Sequence, residues 1–237
     1  MNIKELGYEK TPLGDLTLRR RVETLLGDRV VFEVKLGDEY LMSSLFTEAE
    51  QQLATLGLAS LSGELDVVIG GLGLGYTAAE ALKNKHVSSL LVIDLFQPVI
   101  GWHTAGLVPN GDVLTSDSRC ELRQGDFFAL AQTGFDADDP NRKFDAVLLD
   151  IDHSPKHFLD DSNGSFYTAE GLAAVRDQLK PNGTFALWSD DPTSEDFTAH
   201  LRSIFGSATA HNVEFPNPYT GSVSVNCVYV AQKSVKE

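Results

Sequence analysis

Between residues 65 and 188 short, nearly continuous apolar runs alternate with segments of helical spacing. The runs at 65–70, 90–94, 146–150 and 184–188 are too apolar to have a wet face, so each reads as a strand buried on both sides, and 120–124, with Glu121, Arg123 and Gln124, reads as a further strand in the same alternation. Helices are predicted between them at 76–82, 97–103, 127–131 and 169–179, with a turn at Lys180-Pro181-Asn182-Gly183. Strand and helix in alternation predict a mostly parallel sheet covered by helices on both faces. Two further runs, 208–215 and 222–231, are separated by Pro216, Asn217, Pro218 and Gly221 and predict a hairpin that closes the sheet.

Residues 1–60 carry a different pattern. Apolar stretches at 30–34 and 40–42 flank Gly37-Asp38 and predict a small antiparallel unit. Ala49, Leu53, Ala54 and Leu56, behind Glu48 and Glu50, then predict an amphipathic helix over 47–56 ended by Gly57. The expected division is a small N-terminal β-hairpin and helix region, 1–60, and a larger α/β domain, 61–237.

Composition narrows the function. In 237 residues with 42% hydrophobic content one substantial core can form. No run approaches the roughly 20 apolar residues of a membrane span, and Met1-Asn2-Ile3-Lys4-Glu5 lacks the apolar core of a secretory signal, so a soluble, cytoplasmic protein is expected. Cys120 and Cys227 have no metal-ligand spacing and are expected as reduced thiols. The net charge of −15 opposes nucleic-acid binding, since only Arg19, Arg20 and Arg21 cluster. An acidic surface attracts cationic small molecules instead, or serves solubility alone.

The richest segment for chemistry is Gly70-Gly71-Leu72-Gly73-Leu74-Gly75-Tyr76. Gly70, Gly71, Gly73 and Gly75 place a side-chain-free turn between a buried strand and a helix, where a ligand can approach the backbone. Tyr76 stands where a dinucleotide fingerprint requires glycine, so the loop suits a nucleoside without a pyrophosphate. Its plainer reading is a tight strand-to-helix crossing. Asp94, ending the next strand, is placed to bind ribose hydroxyls or to start the following helix. Asp126 follows the third strand and can accept from an adenine amino group beside Phe127, cap a helix, or do both. All of these lie at strand carboxyl ends, where open α/β sheets gather ligands. The fold expected is therefore Rossmann-like, of the S-adenosylmethionine methyltransferase type, with a seven-stranded sheet and an antiparallel terminal hairpin.

The fourth strand ends in Asp150-Ile151-Asp152-His153-Ser154-Pro155. Asp150, and after it Asp152, are the candidates to position or deprotonate an amine, unless Asp150 serves only to form a turn. Pro155 breaks the helix that would align His153 with His157 as metal ligands, so no metal is expected. Asp190 and Asp191 fall near the same rim, and Trp188 reads as core.

These residues resemble the spermidine synthase family of polyamine aminopropyltransferases. The likeness rests on Val68-Ile69-Gly70-Gly71, Ile93-Asp94 with Val99-Ile100, Gly125-Asp126, the segment from Phe144 to Asp150, and Leu179-Lys180-Pro181-Asn182-Gly183. The resemblance implies ribose binding by Asp94, adenine binding by Asp126, an acid-base role for Asp150, and assembly as a homodimer or larger oligomer. It implies S-adenosylmethionine or its decarboxylated form as co-substrate and a small-molecule amine as acceptor. Gly73 stands where the family has an aspartate that meets the aminopropyl end of the donor, Trp188 replaces a glutamine, and the family's Tyr-His-Glu is not found near Thr47-Glu48-Ala49-Glu50. A small-molecule methyltransferase and a non-catalytic nucleoside-binding homologue are the competing expectations.

Overall fold

Alternation inside the apolar runs decides the architecture. In β5 (Leu65–Gly70) the side chains of Val67 and Ile69 enter one core and Val68 enters another; in β6 (Val87–Asp94) Leu90 and Val92 oppose Leu91 and Ile93 in the same way. Both faces are therefore apolar, and each needs a layer of helices. The computed structural model describes residues 3–136 and 138–234. Ahead of β5 lie β1 (Ile3–Thr11), β2 (Gly14–Glu23), β3 (Arg29–Leu36), β4 (Glu39–Ser43) and α1 (Glu48–Leu58). After β5 come α2 (Tyr76–Lys83), β6, α3 (Gln97–Thr104), α4 (Gly111–Ser116), β7 (Cys120–Gln124) and α5 (Phe127–Thr133). The chain continues through β8 (Phe144–Leu149), a 3-10 segment (Asp161–Tyr167), α6 (Ala169–Gln178), β9 (Leu179–Ser189), α7 (Glu195–Phe205), β10 (Gly206–Asn217) and β11 (Ser222–Lys233).

The large sheet has the order β10-β11-β9-β8-β5-β6-β7. Strands β5 to β9 pair in parallel, and β11 runs antiparallel to both β9 and β10. This is the mostly parallel, seven-stranded α/β sheet with a terminal antiparallel hairpin that the pattern predicts. From β5 the chain winds outward to β7, then returns to β8 on the other flank of β5. The carboxyl ends of β5, β6, β7 and β8 thus face one crevice at the reversal of strand order. On one face α5, α6 and α7 bury Phe127, Ala131, Leu172, Val175, Leu201 and Phe205. On the other, α1, α2 and α3 bury Leu53, Ala78, Ala81 and Val99 in a core that also takes Leu16, Leu18, Val34 and Leu36 from the antiparallel β1-β2-β3-β4 sheet. No helix among the described residues is long and apolar enough to cross a membrane.

Three local expectations are corrected. Gly57 does not end α1, which runs on to Leu58. A Cβ there would lie 2.5 Å from Leu148 Cδ2 and 3.1 Å from the Ala186 Cβ, so glycine lets the helix sit close to β8 and β9. Gly57→Leu is expected to cost about 2–3 kcal/mol by overpacking, read as a lower urea midpoint at unchanged slope. The 180–183 turn lies within β9: pairing with β8 jumps from Phe144↔Leu179 to Ala146↔Thr184, and Asn182 takes φ +61° in the resulting bulge. The N-terminal unit has four strands, since β1 and β2 precede the expected pair.

Two of the three clustered arginines are engaged internally. Arg19 and Arg21 on β2 reach across to Glu33 on β3 at 2.6 and 2.8 Å, and Arg21 also pairs with Glu23. From the tip of the terminal hairpin, Tyr219 donates to Glu23 at 2.7 Å and accepts from Arg21 at 2.8 Å. Phe46 packs against Phe215 and Tyr219 beside this knot. Cys120 and Cys227 are free thiols, pushed up to about 12 and about 11 chiefly by burial.

Candidate functional site

The glycine loop is shaped by contacts on both its sides. Gly71 has φ +92°, and a Cβ would stand 2.0 Å from the Asp150 carbonyl oxygen, so the loop after β5 rests on the chain leaving β8. Gly73, at φ +48°, has nothing nearer than Met42 at 3.7 Å and lies open. Gly70 abuts the Phe127 ring, and Gly75 abuts His103 and Leu114. Leu72 and Leu74 bury their side chains and anchor the loop between the glycines.

The loop is also fastened from behind. His103 Nε2 lies 3.0 Å from the Gly73 carbonyl, and Asn110 Nδ2 donates to the Leu74 carbonyl at 2.9 Å. Burial holds the His103 pKa below its ordinary value, so the neutral ring donates through Nε2. Its Nδ1 is buried without a partner. From the front, Asp94 accepts from Leu72 N at 2.9 Å and from Phe96 N at 2.8 Å. Burial raises the Asp94 carboxyl above the usual range, opposed by these amides and by that of Gly73.

A cavity of about 540 Å³ opens in front of the loop, within the range of small-molecule sites. Gly71, Gly73, Gly75, Asp94, Asp126, Phe127 and Asp150 all line it. Asp126 caps α5 through one oxygen, accepting from Phe128 N at 3.0 Å and Ala129 N at 3.2 Å, which leaves the other oxygen uncommitted. Phe127 is only 2% exposed and stacks on Phe135 with centroids 4.8 Å apart, so most of its ring serves the core. Asp150 accepts from the Thr77 hydroxyl at 2.8 Å. Burial pushes its carboxyl up to about 6 against that hydrogen bond.

Asp152, the second catalytic candidate, is held inside the fold. It does not line the cavity and is 1% exposed. Its carboxylate accepts from Leu159 N at 2.7 Å, Asn163 Nδ2 at 2.8 Å and Tyr167 OH at 2.8 Å. It thereby shapes the segment that places Leu159, Asp160, Ser162 and Asn163 on the cavity wall. Asp190 is likewise engaged, accepting from Asn226 at 2.6 Å, and His157 folds onto Ser154 and Asp191. Trp188 packs against the core. Among the described residues no group of three or more His, Cys, Asp or Glu could hold a metal ion.

Sequence reasoning missed Glu50 and Thr77, and the clamps His103 and Asn110. Glu50 reads from sequence as an acid favoured by its place in the first turn of α1, yet it is 9% exposed and lines the cavity. The N-terminal sheet supplies the facing wall through Pro12, Leu13, Val34, Leu41 and Met42. The complete lining contains five acidic side chains, Glu50, Asp94, Asp126, Asp150 and Asp160, and no Lys, Arg or His.

No family profile matches the chain. Among curated proteins it is 27% identical over 148 residues to a polyamine aminopropyltransferase of Pyrobaculum calidifontis, covering 62% of this chain and 49% of that one. A polyamine aminopropyltransferase of Pyrobaculum neutrophilum is 24% identical over 187 residues, covering 76% and 62%. The chain thus spans about half to three-fifths of the length of these relatives. Among solved structures, a spermidine synthase in complex with the transition-state analogue AdoDATO superposes with a TM-score of 0.75 at 18% identity, covering 98% of this chain and 75% of that one. The spermidine synthase of Thermotoga maritima gives 0.73 at 17%, covering 98% and 73%. The chain is therefore similar in sequence to the polyamine aminopropyltransferases and shares the fold of the spermidine synthases.

Proposed function

We propose that the protein transfers the aminopropyl group of decarboxylated S-adenosylmethionine to an amine. The observation that carries this reading is the cavity's charge: five carboxylates and no cationic side chain around a glycine cradle. The decarboxylated donor brings a sulfonium and an ammonium with no carboxylate. The intact donor adds a carboxylate that would meet five acids and no cationic side chain there. An acidic, partly dehydrated cavity favours the first.

In this reading Asp94 binds the ribose hydroxyls, and the free oxygen of Asp126 accepts from the adenine amino group. The main-chain path from Gly70 to Gly75 lets the thioether or sulfonium lie against the backbone. Asp150, one oxygen held by Thr77, receives the proton that the acceptor amine must lose. The relatives' names point the same way, being those of polyamine aminopropyltransferases.

The test is a comparison of donors with 1,4-diaminobutane as acceptor. Decarboxylated S-adenosylmethionine is expected to give 5'-methylthioadenosine and the aminopropylated amine, and to bind at least about tenfold, or ~1.4 kcal/mol, more tightly than the intact donor. Tighter binding of the intact donor together with methyl transfer would establish a methyltransferase instead. Tight 5'-methylthioadenosine binding without turnover of either donor would indicate a non-catalytic nucleoside-binding protein.

A further inference from the structure

The proposed function leaves two cavity acids unused: Asp160, which accepts from the Ser162 amide and hydroxyl, and Glu50. Glu50 is 9% exposed, and among the described residues its carboxylate accepts no side-chain or main-chain hydrogen bond from any other residue. A carboxylate so placed is destabilising unless a cation or donor meets it. Burial, and after it the charge of Asp150, drive its carboxyl well above the ordinary range. Asp150 has the same problem in milder form, with the Thr77 hydroxyl on one oxygen. Two buried carboxylates facing one apolar space repel each other, and an ammonium between them relieves both.

The topology places Glu50 relative to the nucleoside acids. Asp94 and Asp126 follow β6 and β7 on one flank of β5, and so mark the nucleoside end. Asp150 follows β8 on the other flank, and α1 packs on β8, β9 and α2. Glu50 therefore lies at the reacting end, away from the ribose, with Tyr76, Leu41 and Met42 among the lining residues.

We propose that Glu50 and Asp150 together grip the ammonium of the acceptor amine, making Glu50 a second catalytic carboxylate and the determinant of acceptor affinity. This rests on the aminopropyl-transfer reading above. The ammonium has three N–H donors, enough to reach both carboxylates. One of its protons passes to Asp150. The freed lone pair forms the new C–N bond to the donor methylene next to sulfur, and the C–S pair stays on sulfur, turning the sulfonium into a neutral thioether. The product nitrogen is a secondary ammonium that stays against Glu50, and Asp150 returns its proton to solvent.

Glu50→Gln keeps shape and removes charge. Expected is an acceptor KM at least tenfold higher, a donor KM within twofold of wild type, and partial recovery of acceptor KM in Glu50→Asp. Calorimetry with 1,4-diaminobutane on protein saturated with 5'-methylthioadenosine is expected to show at least tenfold weaker diamine binding in Glu50→Gln. Unchanged diamine binding and KM, or equal weakening of diamine and 5'-methylthioadenosine, overturns the assignment. Wild-type protein that binds 5'-methylthioadenosine but no diamine also overturns it and leaves the nucleoside site standing. Wild-type protein that fails to bind 5'-methylthioadenosine overturns the underlying reading and this one with it.

Discussion

Asp150→Asn is expected to lower kcat about a thousandfold, within the range for loss of a positioned general base, while 5'-methylthioadenosine affinity stays within twofold. The wild-type rate is expected to fall about tenfold per pH unit below about 6, where the buried Asp150 carboxylate takes up its proton. Glu50 faces the same space from α1 and its titration responds to the charge of Asp150, while the Thr77 hydroxyl on one Asp150 oxygen opposes the upward shift. The same pKa makes a stability prediction of opposite sense. The folded state keeps on Asp150 a proton that the unfolded chain releases near 3.8. The resulting stability is full below that value and is lost as the pH rises through about 6. At pH 8 the buried charge then costs on the order of 3 kcal/mol. Asp150→Asn removes the charge and keeps an acceptor for Thr77, so thermal unfolding at pH 8 is expected several degrees higher. Loss of activity with a lower Tm would assign Asp150 to the scaffold alone.

Gly71→Ala is expected to be the most damaging single methyl in the site, costing more than about 4 kcal/mol. The backbone there has φ +92°, which L-residues avoid, and the added Cβ would sit 2.0 Å from the Asp150 carbonyl oxygen. A main-chain atom cannot swing aside as a side chain can, so the loop must leave β8 and take its cradle with it. Gly73→Ala is the control. Its φ of +48° carries the left-handed penalty of about 1–2 kcal/mol, but the space around it is open. Urea unfolding of both variants, with 5'-methylthioadenosine titrations, measures the difference. Equal costs would show that dihedral preference, rather than the approach of Asp150, makes Gly71 a glycine.

The central parallel strands were legible because burial on both faces leaves runs with hardly a polar residue, and β5 begins and ends where the pattern places it; β7, half-exposed and carrying Glu121, Arg123 and Gln124, was legible from its place in the alternation. Gly71, Gly73, Gly75, Asp94, Asp126 and Asp150 were legible as neighbours too, since they sit at strand ends and line one cavity, whereas Gly70 lies behind it against Phe127. What escaped was set by contacts between distant segments. β1 is exposed or half-buried along its whole length and shows no apolar alternation; it is a strand because β2 offers it a ladder. Gly57 carries the usual mark of a helix end, and only the closeness of Leu148 and Ala186 explains it inside α1. Asp152 and Asp150 are indistinguishable two residues apart in sequence. Their roles separate because one carboxylate turns to Tyr167 and Asn163 and the other to the cavity.

The knot of Arg21, Glu23 and Tyr219 has a mechanical meaning. β2 and β3, paired in one ladder, are pinned through Tyr219 to a hairpin that is itself part of the large sheet. The jaw formed by Val34, Leu41 and Met42 is thereby braced against swinging outward on its own. The Leu159–Asn163 stretch of the cavity wall is held separately, by hydrogen bonds from Leu159 and Asn163 to the buried Asp152.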